Sequence, residues 1–388
     1  MTVCIFPGQG SQVRGMGRFL FDRYPQLTER ASDILGFSVR ELCLKDANRE
    51  LHKSEFAQPA LFVVNALSIR RFREEKGEPD VFLGHSLGEA NALEASGALS
   101  FEDGVMLVRK RALLLADEPP GAMAAIVGLR ASEVEARLQA GGFDHVDIAN
   151  YNGPRQLIIA GLRDDIKEAG ALFDTEGVQY VPLNTDGAFH SRHLQGAAAA
   201  FENMVSGMAF QRPKTPVMSS IDGAFYNGDD VGQRLKQQIT SPVRWDVCIR
   251  RLYESGTRTF EVVGPGRVLR AIVAEIISDI ETRETPRYAV AKPSPVVGAE
   301  DAAMMPDGAP APTSSDATHP RSRPIHKTIR ETIAHWNQAY PVGTRVRVDG
   351  YDGLQVTRTR AIILFGHRPA IYLEGFSGYV PLDAVVAA

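Results

Sequence analysis

A chain of 388 residues, 44% hydrophobic and 23% charged, is long enough for two domains and able to bury a sizeable core. Its formal charge of −4 argues against a nucleic-acid binder working through a basic field, and a soluble partner fits that balance better. Three scattered cysteines (Cys4, Cys43, Cys248) without CxxC spacing indicate neither a disulfide framework nor a zinc site.

From residue 1 to about 120, short apolar runs (VCIF at 3–6, DVFLG at 80–84) alternate with longer helical patterns, which predicts an α/β layer structure around a parallel sheet. Over 122–185 the order changes. AMAAIVGL (122–129) reads as a strand and SEVEARLQA (132–140) as a helix. HVDIANY (145–151) and QLIIAG (156–161) read as a strand pair across an Asn-Gly-Pro turn. DDIKEAGALFDTEG (164–177) reads as a helix and VQYVPL (178–183) as a strand. That β-α-β-β-α-β order predicts a ferredoxin-like subdomain at 122–185, inserted in a core made of 1–121 and 186–285. The α/β pattern resumes with a helix at 243–256, a strand at 260–264 and a helix at 268–277. A Pro/Ala/Ser-rich stretch at 286–325 cannot bury enough apolar area to offset ordering entropy, so a disordered linker is expected there. After it, a short helix and Gly-divided β-runs predict a small SH3-like barrel over 326–388. The opening residues show no charged leader before an apolar stretch, and no run of eighteen apolar residues occurs. A cytoplasmic location without membrane attachment is the expectation.

GHSLGE (84–89) carries the strongest chemical signal. G-x-S-x-G between an apolar strand and a helix is a nucleophile elbow, which presents Ser86 above the sheet near a helix N-terminus. The bland alternative, a Gly-rich turn with an incidental serine, lacks a reason for both flanks. A serine hydroxyl needs an adjacent base. His85 points away on so tight a turn and packs within or rims the cleft, where it would line the substrate. His190 and His193 lie in NTDGAFHSRH, where the chain re-enters the core, and the residues alone do not separate them. In IFPGQGSQ (5–12) the backbone N–H of Gln9, paired with that of Leu87, is placed to approach an oxyanion. Phosphate cradling is rejected because GQGSQ has neither the Walker lysine nor its spacing. On SFEDGVMLVRKRALLL, opened by a Ser100/Asp103 capping box, Leu107, Arg111 and Leu114 share one side. Arg111 is then either a carboxylate clamp at a cleft wall or part of a solvated VRKR patch, and helix geometry leaves both open.

Together FPGQGSQ, GHSLGE, the V-x-x-R helix before GAMAAI, NYNGPRQLIIAG, AFHS, SPVRW and EVVGPGRVL resemble malonyl-coenzyme A:acyl carrier protein transacylases. The resemblance is strongest to the free-standing acyltransferases of trans-acyltransferase polyketide synthases, and ELCLKD, QPALFVVNAL and the tail LFGHRPAIYLEGFSGYVPLD are similar to that subgroup. It covers roughly residues 3–280 and, separately, the tail. It implies an α/β-hydrolase-like core and a Ser86 nucleophile with His190 as base. Gln9 and Leu87 would form the oxyanion hole, and Arg111 would grip the free carboxylate of malonate. It further implies that the backbone carbonyl of Arg244 orients the histidine, and that Phe189 belongs to a malonyl-selective AFH pattern. The implied partners are malonyl-CoA and the acyl carrier protein domains of a polyketide synthase. No cofactor is implied, since the coenzyme A thioester is a substrate. Ala90, Ala112, Leu115 and Gly187 depart from the family's usual side chains, and the smaller ones would enlarge the cleft. Two rivals are an acyl-carrier hydrolase that clears stalled chains, which needs no carboxylate clamp, and a scaffold protein with a degenerate site. The complete set of Ser86, His190, Gln9 and Arg111 argues against the second.

Overall fold

The computed structural model describes residues 1–185, 187–284, 325–348, 353–364, 368–374 and 379–388. The chain divides into two compact units, Met1–Thr282 and Arg283–Ala388. The linker expected at 286–325 lies outside the described residues apart from its last position.

The first unit begins with β1 (Thr2–Phe6), followed by α1 (Arg18–Arg23), α2 (Pro25–Leu35), α3 (Val39–Leu44) and the long α4 (Ser54–Lys76). Next come β2 (Val81–Gly84), α5 (Gly88–Ala95) and α6 (Phe101–Ala116). A separate sheet region follows: β3 (Gly121–Val127), α7 (Ala131–Ala140), β4 (Asp147–Gly153), β5 (Gln156–Leu162), α8 (Arg163–Ala169) and β6 (Gln179–Pro182). The chain then returns through α9 (Gln195–Val205), β7 (Val217–Met218), α10 (Val231–Thr240), α11 (Trp245–Glu254), β8 (Thr259–Val262) and α12 (Val268–Glu284).

Strands β7-β2-β1-β8 form a parallel sheet in that order. Its inner strands β1 and β2 read as near-continuous apolar runs because both faces are covered, whereas the edge strand β8 carries Thr259 and Glu261. Cys4, Phe6 and Phe82 point into a core shared with α4, α5, α6 and α9, whereas Val3, Ile5, Val81 and Leu83 point into a second core with α11 and α12. Of the capping box expected at α6 only one half forms: the Ser100 hydroxyl accepts from Asp103 N–H at 3.0 Å, but the Asp103 carboxylate accepts from that hydroxyl (2.7 Å) instead of from the Ser100 N–H.

The second sheet of this unit is antiparallel, in the order β4-β5-β3-β6, with β3 and β5 paired from Gly121↔Leu162 to Val127↔Gln156. Two expectations need correction here. Strand β4 runs through Asn152 and Gly153 instead of turning at Asn-Gly-Pro, two bulges taking up the register. The helix expected over 164–177 is α only to Ala169 and tightens to a 3₁₀ turn at Gly170–Phe173. Gly170 lies there close against the Tyr180 ring. Strand β4 also pairs with the core: Tyr151 N–H donates to Val243 O (2.8 Å) and Val243 N–H to Ala149 O (2.9 Å).

In the second unit α13 (Ile325–Ala339) precedes β9 (Arg345–Val348), β10 (Gln355–Val356), β11 (Ile362–Leu364), β12 (Arg368–Tyr372), β13 (Tyr379–Pro381) and β14 (Val385–Ala387). They make two antiparallel three-stranded sheets, β10-β9-β14 and β11-β12-β13, around Val346, Val348, Ile371 and Leu373. No described helix is long and apolar enough to cross a membrane.

Candidate active site

Between β2 and α5 the chain turns so sharply that Ser86 adopts φ +52°, a left-handed conformation costly for a residue with a side chain. The glycines around it answer to close contacts. A Cβ on Gly84 would lie 2.0 Å from Glu89 N, and one on Gly88 would lie 2.2 Å from Phe6 O. The IFPGQG turn after β1 packs on this elbow, where a Cβ on Gly8 would meet His85 O at 2.5 Å. Neither the Gln9 nor the Leu87 N–H donates to a protein acceptor among the described residues, so the neighbouring turns offer two unspent donors beside Ser86.

His190, also at positive φ (+59°) and 4% exposed, brings Nε2 to 2.6 Å from Ser86 Oγ. Its Nδ1 faces two carbonyl oxygens, Gln238 O (2.9 Å) and Ser241 O (3.2 Å). Carbonyls only accept, so Nδ1 carries the proton and Nε2 presents a lone pair to the hydroxyl. These acceptors belong to the last turn of α10 and its cap, whose carbonyls lack partners within the helix. Burial, with the Arg111 charge beside it, pushes the imidazole down to about 3, against the smaller opposing effect of the Gln238 carbonyl. His193 is elsewhere: its Nε2 meets His145 O at an exposed position. Geometry therefore separates the two histidines that the sequence left together.

Arg244 needs a correction. Its carbonyl accepts the Cys248 N–H (3.1 Å) as the first bond of α11, and its guanidinium lies 4.0 Å from the centre of the Tyr151 ring. The histidine's Nδ1–H goes to Gln238 O and Ser241 O, which take the position expected for the Arg244 carbonyl.

Arg111 is 6% exposed and turned inward on α6, while Arg109 and Lys110 are exposed. Its Nη2 lies 3.3 Å from Ser86 Oγ and its Nη1 donates to Gln58 Oε1 (2.7 Å). Gln58 donates onward to Gln9 Oε1 (2.9 Å), and Gln9 Nε2 donates to Ser54 Oγ (2.8 Å). Burial lowers the guanidinium to about 10, so it remains a cation at neutral pH. No carboxylate among the described residues forms an ion pair with it.

His85 Nε2 lies 2.8 Å from Asn152 Oδ1 of β4, and its ring packs 5.1 Å from that of Trp245. Desolvation pushes it below the ordinary imidazole value. Phe189 packs half-buried on the core, and a Cβ on Gly187 would stand 2.7 Å from its ring. A small cavity beside Ser86 is walled by Ala90, Leu107, Phe201 and Leu235. No group of His, Cys, Asp or Glu among the described residues is placed to hold a metal ion. The sequence reading missed Gln58, Glu89 and Gln238 as members of this site. A signal existed for Gln58, a polar residue just before the apolar run PALFVV.

A parallel α/β sheet carrying an elbow serine against a neutral, backbone-anchored imidazole is the apparatus of acyl-serine chemistry, and the family match makes the chain an acyltransferase. The chain belongs to the family described as the acyl transferase domain, which matches residues 3–295. Over 284 residues it is 44% identical to the polyketide biosynthesis malonyl CoA-acyl carrier protein transacylase PksC of Bacillus subtilis strain 168, covering 72% of this chain and 99% of that protein. The transacylase BaeC of Bacillus velezensis, of the same description, is 43% identical over 284 residues, covering 72% and 98%. A crystal structure of a malonyl CoA-acyl carrier protein transacylase from Burkholderia pseudomallei matches with a TM-score of 0.70 at 43% identity, covering 74% of this chain and 99% of that one.

Proposed function

We propose that this protein is a malonyl-CoA:acyl carrier protein transacylase acting in trans in polyketide biosynthesis, through a malonyl-serine intermediate. The observation that carries the reading is Arg111: a buried cation 3.3 Å from Ser86 Oγ that, among the described residues, has no carboxylate within ion-pair distance, only the more distant charge of Glu89. Such a group binds a free carboxylate on the acyl chain and sets the thioester carbonyl over the hydroxyl.

His190 Nε2 takes the Ser86 proton as Oγ attacks the malonyl thioester. The N–H groups of Gln9 and Leu87 hold the oxyanion, and the imidazolium returns its proton to the departing coenzyme A sulfur. The phosphopantetheine thiol of a carrier protein then attacks the acyl-serine by the same steps in reverse, with His190 again as base. Losing one oxyanion donor in sites of this kind costs roughly 3–4 kcal/mol. Phe189 and His85 line the acyl and pantetheine path in this reading. No cofactor takes part, and a cytoplasmic setting supplies both thioester and carrier.

In the same reading 122–185 is an inserted ferredoxin-like subdomain, supported by the strand order β4-β5-β3-β6, set in the core of 1–121 and 186–285. The two small sheets after residue 326 support an SH3-like module. The relatives named above are transacylases, and nothing in the site favours the hydrolase rival.

The test is intact-mass analysis after mixing with malonyl- or acetyl-CoA. A malonyl adduct on Ser86 that persists and then moves to a carrier protein supports transfer, and rapid release of free acid would overturn it. Arg111→Ala should lower malonyl loading by about 10–100-fold, the loss expected for a charged hydrogen-bond pair, while leaving acetyl loading nearly unchanged. Equal losses on both donors would refute the clamp.

A further inference from the structure

Glu89 closes the GHSLGE motif, is fully buried, and takes no part in the chemistry above. Its carboxylate is held by four donors. Oε2 accepts from Ser220 N–H (3.1 Å), Ser220 Oγ (2.5 Å) and Gln238 Nε2 (2.7 Å), and Oε1 accepts from Tyr226 Oη. None of the four is a cation, so a charge-bearing group sits in the core without an ion pair, an arrangement that apolar packing alone would not retain.

Its link to the reacting atoms runs through one residue. The same Gln238 Nε2 that donates to Glu89 also reaches Ser86 O at 3.2 Å, and the backbone oxygen of Gln238 receives His190 Nδ1–H at 2.9 Å. Gln238 thus touches both halves of the Ser86–His190 pair, and its carboxamide is anchored at the far side by Glu89. Ser86 is moreover in a left-handed conformation, which persists only where neighbouring groups over-determine it.

We propose that Glu89 is a positioning residue for acyl transfer: by clamping the carboxamide of Gln238 it fixes the backbone at Ser86 and the ring of His190 in mutual register. The inference rests on the transfer reading above. It separates Glu89 from Arg111, which acts on the substrate's carboxylate.

The experiment is a double-mutant cycle on the full chain, reading the rate of malonyl-Ser86 formation and the KM for malonyl-CoA. Glu89→Met and Gln238→Met each remove one end of the clamp, and the second keeps its backbone carbonyl. Each should slow acylation by about 10–100-fold, the range for a lost hydrogen bond to a charged group. KM should hold within about threefold for Gln238→Met, which leaves in place the Glu89 charge that acts on Arg111. The double variant should lose no more than the worse single one. Glu89→Gln, which keeps an acceptor for Gln238, should restore most of the rate. Multiplicative losses, or a rise in KM at unchanged kcat, would overturn the proposal. Should Glu89→Met not fold, Gln238→Met decides alone, since loading at the parent rate sinks the clamp. A parent protein that forms no malonyl-Ser86 refutes the transfer reading instead, so the two failures are distinguishable.

Discussion

His190 is held neutral by its surroundings, and the consequences differ for rate and for stability. For the rate, a base whose folded value is about 3 stays deprotonated well below the ordinary imidazole range. Acylation measured as kcat/KM for malonyl-CoA should therefore stay level from pH 8 down to about 5, where an unperturbed histidine would already have lost most of its activity. An acid limb near pH 6.5 would contradict the buried geometry. For stability, the folded value lies below the unfolded one of about 6.5, so between them the unfolded chain binds a proton that the folded chain refuses. The contribution is fully present above about pH 6.5 and drains away as the pH falls toward about 3, by at most about 1.4 kcal/mol per pH unit. Urea unfolding at pH 7 and pH 5 should show a smaller difference for His190→Ala than for the parent chain. An equal difference would place the acid sensitivity elsewhere.

At the scale of the element, the elbow is built from three approaches that only glycine permits, and Gly88 is the one that seats α5 on β1. A methyl there would stand 2.2 Å from the carbonyl oxygen of Phe6 and 2.8 Å from its carbon, both backbone atoms of the central strand. Helix α5 would have to lift off β1, carrying Ser86 and Glu89 with it. Gly88→Ala should destabilise the chain by about 1–3 kcal/mol, the usual cost of overpacking, and slow acylation as well. A variant with parent stability and parent rate would show that the helix seats otherwise. This part of the site was legible in the sequence because its rule is local: strand, two glycines and helix in one stretch, residues 81–95. Arg111 was half legible, since the helix period put it on the apolar side while leaving its partner unknown. The histidine's support was not legible at all. Gln238 and Ser241 serve through backbone oxygens at a helix end, which any side chain could supply, so nothing in their letters marks them. Arg244 drew that role by its place in SPVRW, but its carbonyl opens α11. Strand β4 outran its expected end because Gly153 still pairs with Gln156 of β5, so the chain reverses at Pro154 and Arg155, just past the letters that read locally as a turn.

Over the whole molecule, every group placed around Ser86 falls within the first compact unit, Met1–Thr282. Gln58, Glu89, Arg111, His190, Gln238 and Ser241 have partners there, and among the described residues the two cores that flank the parallel sheet are filled without any residue beyond Ile280. The Bacillus transacylases align over 98–99% of their own length with only 72% of this chain, so they match it without its second unit. That unit has a core of its own, around Val346, Ile371 and Leu373. A chain ending after Glu284 should accordingly fold and form malonyl-Ser86 at a rate within about twofold of the full chain, because the hydrogen bonds described around Ser86 and His190 all stay within it. If that chain loads malonate normally yet delivers it poorly to the carrier proteins of its own synthase, the second unit acts in partner choice. If loading itself collapses, the independence of the first unit is refuted.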